Sequence, residues 1–302
     1  MAKRTVTVFQ VDVFTRDLFA GNPAGVILGA EVLSETEMQA LAREINNSDS
    51  AFVLPSDGPD HDIHLRFFTP TREVGFVGHA TVAAHVARLA AGQRSTGKFR
   101  QKTRSGIYQV EVAGTAESPQ VSMEIPAPYF QPPLAVELRS RLLDIFGIDT
   151  AALDPKCPLV VAKRSSTRLM VGLRSAELLA SLQPNFDELK RITPHVGADG
   201  FFLFVRDARG PGTTEARLFS PVLGIPEDPV SGNAHGMLGA YLVANGLATL
   251  TNGRAKLTGY QGSSMSRPGE VSVEVETTAG APSLIRVRGT ARVVFTTQIT
   301  LD

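Results

Sequence analysis

Two segments of the chain carry apolar residues at almost every position of a helical repeat. The first opens at Gly78, continues through Ala80, Val82, Ala83, Ala84, Val86, Ala87, Leu89 and Ala90, and is stopped by Gly92. The second runs from Gly232 to Gly246. A helix with no polar face belongs inside a domain, enclosed by other elements. The stretches around both helices have the shorter period of strands. Val6–Val13 alternates, and a turn at Phe19–Gly25 precedes the apolar run Val26–Leu28. Further strands are expected at Ser50–Pro55, His64–Phe68, Gly97–Thr103, Tyr108–Val112, Val121–Ile125, Leu159–Val161, Arg168–Val171, Gly200–Val205 and Thr214–Phe219, and the tail is strand-rich to Leu301. Ser34 followed by Glu37 has the form of a capping box and opens an amphipathic helix carrying Met38, Leu41, Ala42 and Ile45, which stops near Asn46-Asn47. Helices are also expected near Leu134–Phe146, Ala176–Gln183 and Phe186–Arg191.

The surroundings of the two apolar helices repeat. Arg66-Phe67-Phe68-Thr69-Pro70, Glu73 and Gly78-His79-Ala80-Thr81 correspond to Arg217-Leu218-Phe219-Ser220-Pro221, Glu227-Asp228 and Gly232-Asn233-Ala234-His235. Opening to closing glycine is 14 positions in both copies, and the loop before the helix is three residues longer in the second. A period of about half the chain points to duplication. The expected fold is therefore α+β, with two pseudo-symmetric lobes, each a mixed β-barrel or sheet wrapped around a central apolar helix. Pro126–Pro133, with four prolines, reads as the linker. It divides an N-terminal lobe (1–126) from a C-terminal lobe (127–289).

Composition narrows the function without naming it. The 302 residues include 30 Lys plus Arg and 30 Asp plus Glu, so no net field draws nucleic acid or an anionic membrane surface. No apolar run reaches the ~18 residues that cross a bilayer, and the opening residues, which alternate from Thr5, are not expected to be a signal peptide. One cysteine, Cys157, excludes an intrachain disulfide and a two-thiol racemase, and fits a reducing, cytoplasmic setting. Phosphate-binding glycine loops and His-Glu-x-x-His are absent, and His79 and His85 point to different helix faces, so no nucleotide cofactor or metal is expected. Ser95-Thr96-Gly97-Lys98 matches Ser-x-x-Lys only by chance, since no Lys-Thr-Gly follows. Lys98, Arg100, Lys102 and Arg104 alternate along one strand face, which reads as a solvated surface.

The starts of the two apolar helices hold the candidate chemistry. A first helical turn offers unpaired N–H groups and a positive dipole end, which suit an anion. Glycine at Gly78 and Gly232 lets a ligand approach the backbone, although glycine also serves close helix packing. If the halves face each other, both starts open into one cleft and can hold a carboxylate while a proton leaves the adjacent carbon. Asp49, between a helix and a buried strand, is placed for acid–base work if partly desolvated; the ordinary alternative is a turn aspartate bonded to its own backbone. His79 is a second acid–base group or a polar helix-start residue. Asp228, four residues before Gly232, faces the cleft or organises its loop.

Val11-Asp12-Val13-Phe14, Gly21-Asn22-Pro23-Ala24-Gly25-Val26, Ser48-Asp49-Ser50-Ala51-Phe52-Val53, Arg66–Pro70, Gly78–Thr81 and Glu227-Asp228-Pro229-Val230-Ser231-Gly232-Asn233-Ala234 occur in an order that resembles the PhzF-like phenazine-biosynthesis family. This is a branch of the diaminopimelate-epimerase-like fold, and the likeness is greatest to bacterial members of unassigned substrate. The resemblance implies a homodimer without metal or organic cofactor, a final strand (290–302) that returns to the first lobe, and a small carboxylate substrate. By position it makes Asp49, His79 and Asp228 the catalytic set, and Asn22, Gly78, Ala80, Gly232 and Asn233 the substrate-binding set. Two positions depart from the characterised phenazine enzyme: Asp49 stands where the family usually has Glu, and Asn233 where that enzyme has Ser. The resemblance thus implies a cofactor-independent isomerase that moves a proton between carbons. The alternatives are an amino-acid epimerase using non-thiol acids and a catalytically silent binding protein.

Overall fold

The computed structural model describes residues 3–93, 96–164 and 166–301, so Ser95 of the chance Ser-x-x-Lys match lies outside the described residues. The chain divides into two compact units, residues 1–124 with 288–302, and residues 125–287.

The first unit contains β1 (Arg4–Val13), β2 (Asn22–Leu28), α1 (Glu35–Ile45), β3 (Ser50–Leu54), β4 (Ile63–Phe68), β5 (Glu73–Val74), α2 (Gly78–Ala90), β6 (Gly97–Thr103), β7 (Gly106–Gly114), most of β8 (Pro119–Pro126), and the last strand of the chain, β18 (Ala291–Leu301). β1 lies antiparallel between β18 and β2, β2 runs parallel to β3, and β3 pairs antiparallel with β4. β4 runs parallel to β6, which opens the antiparallel run β6–β7–β8. α2 packs against β1, β2, β3 and β18, and ten of its residues, His79 among them, are buried. The capping box at α1 is complete: Ser34 Oγ accepts from Glu37 N–H, Glu37 Oε2 accepts from Ser34 N–H at 2.7 Å, and Asn46 ends the helix in the left-handed region.

The second unit repeats this connectivity with β9 (Tyr129–Phe130), α3 (Val136–Phe146), β10 (Val160–Lys163), β11 (Thr167–Leu173), α4 (Ala176–Ser181), α5 (Phe186–Val196), β12 (Gly200–Arg206), β13 (Thr213–Ser220), β14 (Ile225–Asp228), α6 (Gly232–Ala244), β15 (Arg254–Gln261), β16 (Gly269–Thr278) and β17 (Ala281–Gly289). β10–β11 is antiparallel, β11–β12 parallel, β12–β13 antiparallel, β13–β15 parallel and β15–β16 antiparallel, the sequence of directions seen from β1 to β7. α6 buries eleven residues, and the Tyr241 hydroxyl at its far end donates to Pro158 O at 2.9 Å. α3, α4 and α5 cover the other sheet face over Leu169, Val171, Phe201, Leu203 and Phe219.

Two sequence expectations gain detail. The proline-rich segment 126–133 follows the division between the units at 124/125 and is tied into the second unit: it carries β9, which pairs with β10, and Gln131 N–H donates to Val161 O at 2.9 Å. The turn before Val26 is shorter than expected, because pairing with Val13 starts β2 at Asn22, directly after Gly21 turns at φ +62°.

Candidate functional site

The same ion pair braces the approach to each apolar helix. Arg66 donates through Nε and Nη2 to the two carboxylate oxygens of Glu73, both at 2.8 Å. Arg217 grips Glu227 through the same two nitrogens, also at 2.8 Å. Each guanidinium also lies over the ring two residues on, 5.1 Å from the Phe68 centroid and 4.9 Å from that of Phe219. Such a two-bond grip fixes orientation as well as distance. The Arg66 hydrogen bonds hold the Glu73 carboxyl below its ordinary pKa, against the opposing effect of burial. Glu73 and Glu227 are therefore braces at the approach to each helix.

At the start of α2, Val77 supplies an extended N-cap without a side-chain hydrogen bond. The first-turn amides of Gly78, His79 and Ala80 thus lack a capping side chain. A Cβ at Gly78 would meet nothing nearer than Met123 Sδ at 3.9 Å, so packing does not demand glycine there. Ala80 is fully buried, which leaves its backbone N–H as the group it can offer a ligand.

Asp49 occupies the residue before β3 and is only 9% exposed. Its Oδ2 lies 3.7 Å from Nε2 of His79, which is 8% exposed. That separation exceeds a hydrogen bond, and Nε2 has no hydrogen-bond partner. Burial pushes the His79 pKa down to about 4, so the ring is neutral at pH 7 despite the neighbouring carboxylate. Asn22 is fully buried and heads β2, which runs parallel to β3, the strand that Asp49 precedes.

In the second unit, Ser231 caps α6, its Oγ accepting from Ala234 N–H at 3.3 Å. Gln261 clamps the loop before the helix, accepting from Ser231 N–H at 3.1 Å and donating to the Asp228 carbonyl at 2.6 Å. Asp228 ends β14 and is half-buried, and Gly232 is buried. Asn233 donates through Nδ2 to Ser166 Oγ at 2.8 Å. The structure thus brings Asp49 and His79 together at one helix start, and Asp228, Gly232 and Asn233 together at the other. Sequence reasoning missed Ser166 and Gln261. A buried glutamine on the core-facing parity of a strand is a usable signal, and it recurs at Gln101, which joins Thr81 to His85 on α2.

Other candidates resolve differently. On the cationic strand face, Arg100 pairs with Asp62 at 3.1 Å, Lys102 with Asp57 at 2.8 Å and Arg104 with Glu73 at 3.6 Å. Cys157 is buried and its thiol is pushed up to about 11, chiefly by burial. A cavity of about 950 Å³ near the C-terminal end of α6 is lined by Arg206, Arg254 and Lys256, whose charges are met by Asp154, Glu276 and Glu274. It lies away from the helix start. Among the described residues no cluster of three or more His, Cys, Asp or Glu is placed to hold a metal, and no helix is long and apolar enough to cross a membrane.

Matching connectivity in two units, each with an apolar helix led by glycine and polar groups, defines a diaminopimelate-epimerase-like fold. Known proteins agree. A protein of Clostridium acetobutylicum named an uncharacterized isomerase is 36% identical over 300 residues, 99% of each chain. The crystal structure of a Bacillus anthracis phenazine biosynthesis protein of the PhzF family superposes with a TM-score of 0.88 at 26% identity, covering 99% of this chain and 100% of that one. A hydroxyproline epimerase from Agrobacterium vitis shares the fold alone, with a TM-score of 0.65 at 12% identity, over 100% of this chain and 93% of that one. The chain belongs to the phenazine biosynthesis-like PhzC–PhzF family, whose model matches residues 11–297.

Proposed function

We propose that the protein is a cofactor-independent isomerase that moves a proton between carbons of a small carboxylate. The observation that carries this reading is Asp49: a carboxylate screened from water, 3.7 Å from a neutral histidine, at the uncapped start of a buried helix. In the proposed step the Asp49 carboxylate takes a proton from a carbon adjacent to an unsaturated bond. The electron pair shifts across that bond, and Asp49 returns a proton at the far carbon. The α2 amides stabilise the charge that builds up meanwhile. Neutral His79 supplies a hydrogen bond rather than a positive charge. Asn22, Gly78 and Ala80, in the same unit as Asp49, are proposed to hold the substrate, and Asp228, Gly232 and Asn233 form a second proposed binding set in the other unit.

The fold is shared by a hydroxyproline epimerase, and epimerisation by two acids would want one from each repeat. Strand register argues against a symmetric pair here. Asp49 precedes Ser50, which pairs with Phe68, whereas the residue preceding Phe201, which pairs with Phe219, is Gly200. The second unit therefore has no acid at the place equivalent to Asp49, which favours a single-acid shift.

The test is turnover of unsaturated and hydroxylated small carboxylates in D2O. Wild-type protein is expected to incorporate solvent deuterium at carbon. Asp49→Asn should slow this by about 10²–10⁴-fold while carboxylate binding and thermal stability are retained. Unchanged exchange in that variant would remove Asp49 from the mechanism.

A further inference from the structure

We infer that Arg168 is an anion-holding residue of the second unit, placed to grip a carboxylate at the start of α6. Arg168 lies on β11 two residues before Met170, whose side chain packs with Ala234, Met237 and Tyr241 of α6. Residues two apart on a strand share a face, so Arg168 stands on the α6 side of the sheet. Ser166, two residues earlier again, meets Asn233 in the first turn of α6. Room for the arginine comes from Gly200 on the adjacent strand. A Cβ there would lie 3.0 Å from Arg168 Cδ and 2.4 Å from Ser220 Oγ. Where the first unit sets the acid Asp49 at this point of the register, the second sets a glycine and fills the space with a cation.

The guanidinium is left with an open edge. Nη1 donates to Thr167 O at 2.9 Å. Nε is buried with no hydrogen-bond partner, and among the described residues no carboxylate hydrogen-bonds to the group. Nε and Nη2 form the edge through which Arg66 and Arg217 each grip a glutamate. In Arg168 no protein carboxylate takes that place. The Ser220 hydroxyl, 2% exposed and also without a partner, lies beside it. Asp228 and Asp199 act on the guanidinium from farther away, and they oppose the downward pull of burial on its pKa. A half-buried guanidinium with an unfilled fork gains two charge-assisted hydrogen bonds when an anion completes it.

The anion proposed is a small carboxylate, and its binding is measured separately from turnover. The whole protein is titrated calorimetrically with benzoate, malonate and succinate, each beside its primary amide. In the wild type at least one acid is expected to bind tenfold or more tighter than its amide. Arg168→Gln should weaken acid binding by about 10- to 100-fold and leave amide binding unchanged. Arg168→Lys, which keeps the charge without the fork, should fall between them, and circular dichroism checks folding. Asp49→Asn should retain the preference for acids even where proton exchange is lost. Equal acid affinity in Arg168→Gln and wild type, or no preference for any acid over its amide in the wild type, overturns the assignment. Failure of proton exchange alone overturns only the catalytic reading.

Discussion

Acid should unfold this protein through its buried histidines. His79, His85 and His235 are 8%, 2% and 2% exposed, and burial pushes their pKa values down to about 4, about 4 and about 3. In an unfolded chain the same rings titrate near 6.5. The folded state therefore binds fewer protons across the window between these values. The stability contributed by keeping the rings neutral is complete above about pH 6.5 and is lost as pH falls toward 4. Below about pH 6, each ring contributes a slope of about 1.4 kcal/mol per pH unit, so three contribute about 4. At pH 5 the loss is about 2 kcal/mol per ring, or about 6 in all, comparable with the total stability of many domains. The pKa of half-buried His64 is lowered too, and it adds in the same direction. Urea unfolding at half-unit steps from pH 5 to 7.5 measures the slope, in a range where the low-pKa carboxylates scarcely titrate. His85→Gln keeps a polar side chain beside Gln101 and should reduce the slope by about one ring's share. A wild-type slope below that of one ring, or an unchanged slope in His85→Gln, would refute the reasoning.

Two glycines should respond oppositely to an added methyl. Gly78→Ala is expected to change stability by no more than about 0.5 kcal/mol yet weaken carboxylate binding, because its Cβ meets only Met123 Sδ at 3.9 Å and otherwise occupies the open helix start. Gly172→Ala places a Cβ 2.4 Å from that of Cys157 and should cost about 1–3 kcal/mol or more; thermal unfolding separates the two. Cys157, with its thiol pushed up to about 11, should be inert to a thiol reagent at pH 8 in the folded protein and react at once in urea.

Local chemistry was readable wherever its partners lie within a few residues. The Ser34–Glu37 box starts α1 as its spacing implies, and the wholly apolar runs from Gly78 and Gly232 are the enclosed helices. Asp49 and His79 were also named from sequence, as residues set against a buried strand and a helix start. Other features were hidden because they depend on pairing between distant segments. Glu73 and Glu227 were legible only as matching positions of the repeat, and their arginine partners appear once the strands pair. Tyr129-Phe130 sits among prolines and becomes a strand only because β10 offers it an edge.

The sequence by itself determined the kinds of element, the duplication and the family, since helical and strand periods and cap chemistry are written in neighbouring residues. The tertiary structure alone decided which charges are spent on each other and which remain available. Arg66, Arg168 and Arg217 look alike in the sequence, yet two close on glutamates across a strand pair and the third meets a glycine. The reason is physical: whether an ion is satisfied depends on what the neighbouring strand brings within about 3 Å of it, and register between distant strands is settled by burying the whole core at once.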